Sequence, residues 1–308
     1  MNACIVLFCF NRPNLLKQTL ECLMCNAEAE QSDIIIYCDG PRNSSDYELV
    51  NATRNVAYAA KGFKSIKVVE REKNLGCSES IISGCNEAFV DHEMLIIVED
   101  DILLSSYTLN FLNKCLKKYV NEFSVFNISA WSHPPSMLLI DSDYPYDAYF
   151  VPRTNVSCMA TWRDRWKYID WGVSDYSFFS RNRYLEKSFN RGGDDMSSML
   201  AEQMKNGLDS WAIRMDYARF KHGCVGLNPV FSYCSNIGYG SGTHTTEFTS
   251  RYDNDINIAL TVPRLPDHIF LDEMIVSRYR RLYGAPPIWM RAVNKVSRLL
   301  CRRNLLDI

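Results

Sequence analysis

The sequence predicts an α/β fold with a mainly parallel central sheet. Three observations predict it: four short apolar runs in the first hundred residues, helical patterns between them, and a polar cluster at the end of three of the runs. Residues 3–8 form the first run and read as a buried strand. After Pro13, Leu16, Leu20 and Leu23 recur at i, i+4 and i+7, which gives a helix with one apolar face. Residues 33–38 are a second buried strand, ended by the turn signal Asp39-Gly40-Pro41. A helical stretch follows over 46–60, then a strand over 65–69. Another helix carries Ile81, Cys85 and Ala88, and residues 94–98 form the fourth strand. Strands separated by helices of this length imply crossover units in a parallel sheet. A helix over 107–119 and a short strand near 125–128 come next. Residues 148–171 are rich in aromatics without a clear period, and a helical pattern returns over 196–204.

In open sheets of this kind ligands bind beyond the carboxyl ends of the strands. The clusters Asn11-Arg12-Pro13, Cys38-Asp39-Gly40 and Glu99-Asp100-Asp101 all fall there. No glycine-rich dinucleotide or Walker loop follows the first strand. The chain of 308 residues is 47% hydrophobic and 12% aromatic, enough for a sizeable core. A net charge of −2 excludes a global footprint for nucleic acid. The start, Met1-Asn2-Ala3-Cys4, has no basic leader or small-residue cleavage site, so a cytoplasmic protein with its 12 cysteines reduced is expected. The expected organisation is one domain over 1–275, with a regular first half over 1–104 and an elaborated second half over 105–275, then a basic helical tail over 276–308.

Adjacent carboxylates at the end of a buried strand repel one another unless a cation or hydrogen-bond donors offset the charge. Glu99-Asp100-Asp101 therefore reads as a site for Mn²⁺ or Mg²⁺ bridged to diphosphate oxygens, or as an acidic strand end capping the next helix.

Val98-Glu99-Asp100-Asp101-Ile102 resembles the metal-binding EDD segment of N-acetylglucosaminyltransferase I and its bacterial relatives, enzymes of the GT-A fold. Three further segments match in order. Ile128-Ser129-Ala130-Trp131 is similar to the family's SAW segment. Arg153-Thr154 with Ala160-Thr161-Trp162 resembles RT…GxGW, and the segment from Asp209 to Arg214 resembles DDWMR. The resemblance implies a GT-A-type, nucleotide-sugar-binding fold and an inverting transfer from a UDP-sugar to a glycan. It places Asp101 on the metal, Glu99 and Asp100 beside metal and donor sugar, Asp39 near uracil or ribose, and Arg12 near base or phosphate. Arg71 and Asn74, in a stretch similar to R…NxG, would edge the nucleotide pocket, and Arg153 and Trp162 would shape the donor-sugar site.

The family has an acid directly before the Trp of DDW, where this chain has Ser210. Asp209 is then the expected catalytic base, with Asp216, Asp194 and Asp195 as alternates. Trp211 packs beneath the acceptor sugar or in the core. The segment from Cys234 to His244 resembles a lid over donor phosphates, with His244 as a phosphate or metal contact. Basic residues over 288–303 interleave with apolar ones at helical spacing, as in a helix on an anionic membrane surface. A lipid-linked acceptor in bacterial surface-polysaccharide synthesis, and an enzyme peripheral on the inner face of the plasma membrane, fit that tail. Two other classes remain: a nucleotidyltransferase, against which Asn11-Arg12-Pro13 replaces the glycine-rich loop, and a noncatalytic nucleotide-sugar binder.

Overall fold

A computed structural model describes residues 2–153, 155–238, 256 and 262–284. The first half alternates strictly: β1 (Cys4–Cys9), α1 (Pro13–Met24), β2 (Asp33–Cys38), α2 (Tyr47–Tyr58), β3 (Ser65–Glu70), α3 (Cys77–Asp91) and β4 (Met94–Glu99). The edge strand β3 carries Lys67 and is largely exposed, whereas β1, β2 and β4 are continuously apolar because both faces of the sheet are covered there. Side-chain alternation splits each of these three strands between two cores. Ile5, Leu7, Ile34, Ile36, Ile96 and Val98 pack with Leu16, Leu20 and Leu23 of α1. Val6, Phe8, Ile35, Tyr37, Leu95 and Ile97 pack with Ile81, Cys85 and Phe89 of α3 on the opposite face.

The second half contributes β5 (Ile102–Leu104), α4 (Thr108–Lys118), β6 (Val125–Ser129), β7 (Ala148–Val151) and β8 (Cys158–Trp162). Short helices α5 (Arg163–Trp166), α6 (Tyr176–Phe179) and α7 (Arg183–Phe189) follow, then α8 (Met196–Met204), α9 (Trp211–Lys221), β9 (Val225–Pro229), β10 (Cys234–Asn236) and α10 (Glu273–Leu282). The main sheet has eight strands in the order β3-β2-β1-β4-β8-β6-β9-β7, and β5 pairs with β10 in a small second sheet. Strands β8 and β7 run against the other six, so the expected sheet is mainly parallel, with two antiparallel insertions in its second half.

The structure moves one boundary. The expected tail from 276 begins inside α10, which is part of the domain: Ile275, Val276 and Tyr279 are buried. Two of its arginines are held by acids from remote segments, Arg278 by Asp141 and Arg280 by Asp194. Residues 288–303 lie outside the described residues. Among the described residues no helix is long and apolar enough to cross a membrane.

Candidate active site

Strand register brings the three polar clusters to one edge. Cys9 pairs with Cys38 and Phe8 with Glu99, so the residues after β1, β2 and β4 leave the sheet side by side. The chain runs β1 to β3 toward one side of the sheet, then returns past β1 to place β4 on the other. The crevice between β1 and β4 is therefore the switch point of the topology.

Arg12 and the acidic triplet meet in that crevice. The Arg12 guanidinium donates to Asp101 Oδ2 at 2.9 Å and also pairs with Asp100 Oδ1. Asn236 of β10 donates to Asp101 Oδ1 at 3.2 Å, and the Asp101 carbonyl accepts from the Ile237 amide. Thr19 of α1 donates to the Asp100 carbonyl at 2.9 Å. Burial, then the charges of Asp101 and Asp100, pushes the Glu99 carboxyl up to about 8; burial pushes Asp100 up to about 6 against the pull of Arg12.

This arrangement fits a hard divalent cation. Asp100 and Asp101 pair with one guanidinium, Glu99 lies within the field of all three, and Asp100 Oδ2 is buried with no hydrogen-bond partner among the described residues. Among the described residues no three acidic, histidine or cysteine side chains already converge as a ligand set. Arg12 lies between two of the triplet, so a cation on Asp101 would share that carboxylate with Arg12 or replace it.

Asp39 has a different task. Its carboxylate accepts from Asn74 Nδ2 and from the amides of Gly40, Leu75 and Gly76 at 2.9 to 3.2 Å, and it is buried. It ties the 74–76 loop to the end of β2, with Asn74 as part of the tie. The two segments approach so closely that a Cβ on Gly40 would lie 2.5 Å from the Lys73 backbone. Arg71 leaves the end of β3 and turns to Glu87 on α3, at 2.6 Å, rather than toward the triplet.

Asp209 reaches the same crevice from the other half. A Cβ on Gly76 would lie 3.8 Å from Asp209 Oδ2, and the neighbouring Cys77 thiol is pushed up by burial and then by the charges of Glu99, Asp209 and Asp101. The start of α3 is thus bordered by the triplet and by Asp209. Ser210, where the resembling family has an acid, is the N-cap of α9: its hydroxyl accepts from the Ile213 amide. The alternates for a base are all in close ion pairs, Asp216 with Arg219, Asp195 with Arg153 and Asp194 with Arg280. Among the described residues Asp209 pairs with Arg214 alone, at 3.9 Å, and more than half of its side chain meets solvent.

Three expected site residues lie elsewhere. Trp162 pairs with Met94, at the opposite end of β4 from Glu99, and donates its indole N–H to the Leu116 carbonyl. Because β8 is antiparallel, the strand beside the triplet carries this tryptophan away from it. Trp211 is buried beside Trp166 in the core under α3. Arg153 is engaged by Asp195 and lies 3.9 Å above the Tyr283 ring. His244 and Thr154 lie outside the described residues.

No family model matches the chain, and no curated protein matches it. Solved structures with partial likeness include a mannosyltransferase from Pyrobaculum calidifontis in complex with GDP-mannose and Mn²⁺. It is 14% identical, over 71% of this chain and 69% of that one, with a TM-score of 0.43. S. aureus TarS in its 1–349 form is 11% identical over 76% of this chain and 60% of its own, with a TM-score of 0.42. A second TarS structure is 16% identical over 46% of this chain and only 24% of its own, with a TM-score of 0.31. Overlap of this degree assigns no residue a role.

Gly238 was missed in the sequence. It follows β10, and a Cβ there would lie 2.0 Å from Asp101 Oδ2. The only signal was its place in a glycine-rich stretch. Gly238→Ala is expected to push the Asp101 carboxylate off Arg12 and to lower metal-dependent turnover about tenfold, with the melting temperature little changed. Parallel kinetics and thermal unfolding on the purified variant check this.

Proposed function

We propose that this chain is a divalent-cation-dependent, inverting glycosyltransferase that moves a sugar from a UDP-sugar to a glycan. The observation that carries the reading is the meeting of Arg12 with Glu99, Asp100 and Asp101 at the β1–β4 switch point, with Asp209 across the start of α3.

Asp101 and Asp100 would hold Mn²⁺ or Mg²⁺, with Glu99 beside them. When bound, the cation supplies positive charge for the departing diphosphate. Two features of the chain add to that charge. Arg12 borders the acids and is within reach of a phosphate there, and the 15-residue helix α3 directs its N-terminal end into the same crevice. Asp39 and Asn74 hold the 74–76 loop at the nucleotide side. On the other side, Asp209 takes the proton from the acceptor hydroxyl. The hydroxyl oxygen bonds to the anomeric carbon as that carbon's bond to the diphosphate oxygen breaks, and UDP leaves with the bonding pair. The solvent-reached and loosely paired carboxylate of Asp209 suits proton transfer better than Asp216, whose charge is committed to Arg219.

The basic and apolar residues of 288–303 support an acceptor presented at an anionic membrane surface, such as a lipid-linked glycan of a bacterial polysaccharide. The test is release of nucleoside diphosphate from a panel of UDP-sugars and GDP-mannose, with Mn²⁺ and with EDTA. We expect one UDP-sugar to be used in Mn²⁺ and none in EDTA. Failure of UDP with Mn²⁺ to bind in calorimetry would overturn the reading.

A further inference from the structure

The short helices α6 and α7 each bury one aromatic and turn another outward. Phe179 of α6 and Phe189 of α7 pack with Leu200 of α8 and with Ile213 and Tyr217 of α9, so both are fixed against the helix that follows Asp209. Their junction is fixed too: Asn182 caps α7, its side chain accepting from the amides of Tyr184 and Leu185 at 3.0 and 3.3 Å. On the outer side Phe178 is 66% exposed and Tyr184 is 87% exposed, the most of any large hydrophobic side chain among the described residues. With Ser177, Arg181, Asn182 and Arg183 they line an open depression of about 540 Å³.

The charge of this surface is one-sided. Residues 177–187 hold Arg181, Arg183 and Lys187 against a single acid, Glu186. All three cations are exposed, and among the described residues none of them is held by a carboxylate. Every other described arginine except Arg281 is paired with an acid.

Unpaired cations between exposed aromatic rings match the headgroup region of an anionic bilayer. The rings enter the boundary between headgroups and acyl chains, and the guanidinium groups meet lipid phosphates. A small soluble anion fits less well, because sites for small molecules enclose most of the ligand and this depression is open. The neighbouring chain carries the same chemistry. Helix α10, the last described helix before the basic and apolar stretch 288–303, is tied to residues just after α7 by Arg191 with Glu273 and by Arg280 with Asp194.

Resting on the membrane-presented acceptor proposed above, we infer that the outer surface of α6 and α7 docks on an anionic lipid bilayer. Phe178 and Tyr184 enter the interface, and Arg181 and Arg183 meet lipid phosphates. Because both helices pack on α9, docking would fix the orientation of the candidate active site relative to the lipid.

The test is flotation of the full chain with vesicles of phosphatidylcholine alone and with vesicles that also contain phosphatidylglycerol. Binding to the anionic vesicles is expected, with little to the neutral ones and no displacement by soluble glycerol phosphate. The double variants Phe178→Ser with Tyr184→Ser, and Arg181→Gln with Arg183→Gln, should each weaken that binding about tenfold or more. Their melting temperatures and their calorimetric binding of UDP with Mn²⁺ should not change. Should the serine variant melt early, Tyr184→Gln alone replaces it, with a loss of about threefold or more. Equal binding by either variant, equal binding to neutral vesicles, displacement by glycerol phosphate, or no binding by the unaltered chain overturns the inference. The two readings fail separately: loss of UDP binding in the unaltered chain sinks the transferase, whereas variants that float like the unaltered chain sink only the docking surface.

Discussion

Asp101→Ala is expected to lower Mn²⁺-dependent release of UDP by at least about 100-fold, the scale on which one preorganised electrostatic contact to a transition state is lost. The geometry explains why the effect should be confined to function. The Asp101 carbonyl, which binds the Ile237 amide, survives the substitution, so the junction of the two-stranded sheet stays closed. What disappears is a carboxylate holding Arg12 on one oxygen and Asn236 on the other. A quarter of the Arg12 side chain meets water and it keeps Asp100, so the loss should cost no more than about 1 kcal/mol of stability. Thermal unfolding and Mn²⁺ binding, measured on the same preparation as UDP release, separate the two effects. Should the variant keep turnover within about threefold of the unaltered chain, less than 1 kcal/mol of transition-state stabilisation, Asp101 does not hold the metal. The reading would then have to move to Glu99 and Asp100.

The parts of this site that were legible in the sequence are those fixed by strand ends. A strand covered on both faces must be apolar throughout, so β1, β2 and β4 show as uninterrupted runs, and the polar residues at their ends are marked as edge residues. Expected and observed bounds of these strands differ by no more than one residue. Pairings across the fold were not legible. Nothing local states that Arg12 turns to acids 88 and 89 positions away, rather than outward. Antiparallel β8 was hidden for a related reason: it is inserted between β4 and β6, covered on both sides, in a stretch whose aromatics follow no single period. Its direction also misled the reading of Trp162, which belongs to the strand beside the triplet but sits at that strand's far end. In α10 the basic residues from 276 onward were expected to begin a basic helical tail outside the domain. The acids that hold Arg278 and Arg280 come from residues 141 and 194, so the pairing was invisible while the buried Ile275, Val276 and Tyr279 were already in helical register.

Two carboxylates seven positions apart should then respond in opposite ways to the same chemical change. Asp209→Asn removes a carboxylate that is well exposed and, among the described residues, has only one distant partner, so stability should hardly move. If Asp209 is the base, turnover should fall by about 10²- to 10⁴-fold, with UDP and Mn²⁺ still bound, because proton abstraction is needed only in the transfer step. Asp216→Asn should do the reverse. Asp216 accepts from Arg219 at 2.6 Å, and Arg219 is fully buried, tied also to Asn127 and to the Pro152 carbonyl. Neutralising Asp216 leaves that guanidinium charged inside the core, which should cost about 3–5 kcal/mol of stability and lower the melting temperature. Whatever fraction stays folded should retain much of its turnover, since the Asp209 carboxylate is untouched. Thermal unfolding and single-turnover kinetics on both variants decide between them. A stable, inactive Asp216→Asn beside an active Asp209→Asn would exchange the two roles: the base would be the buried acid of α9, and the exposed one would be a surface charge.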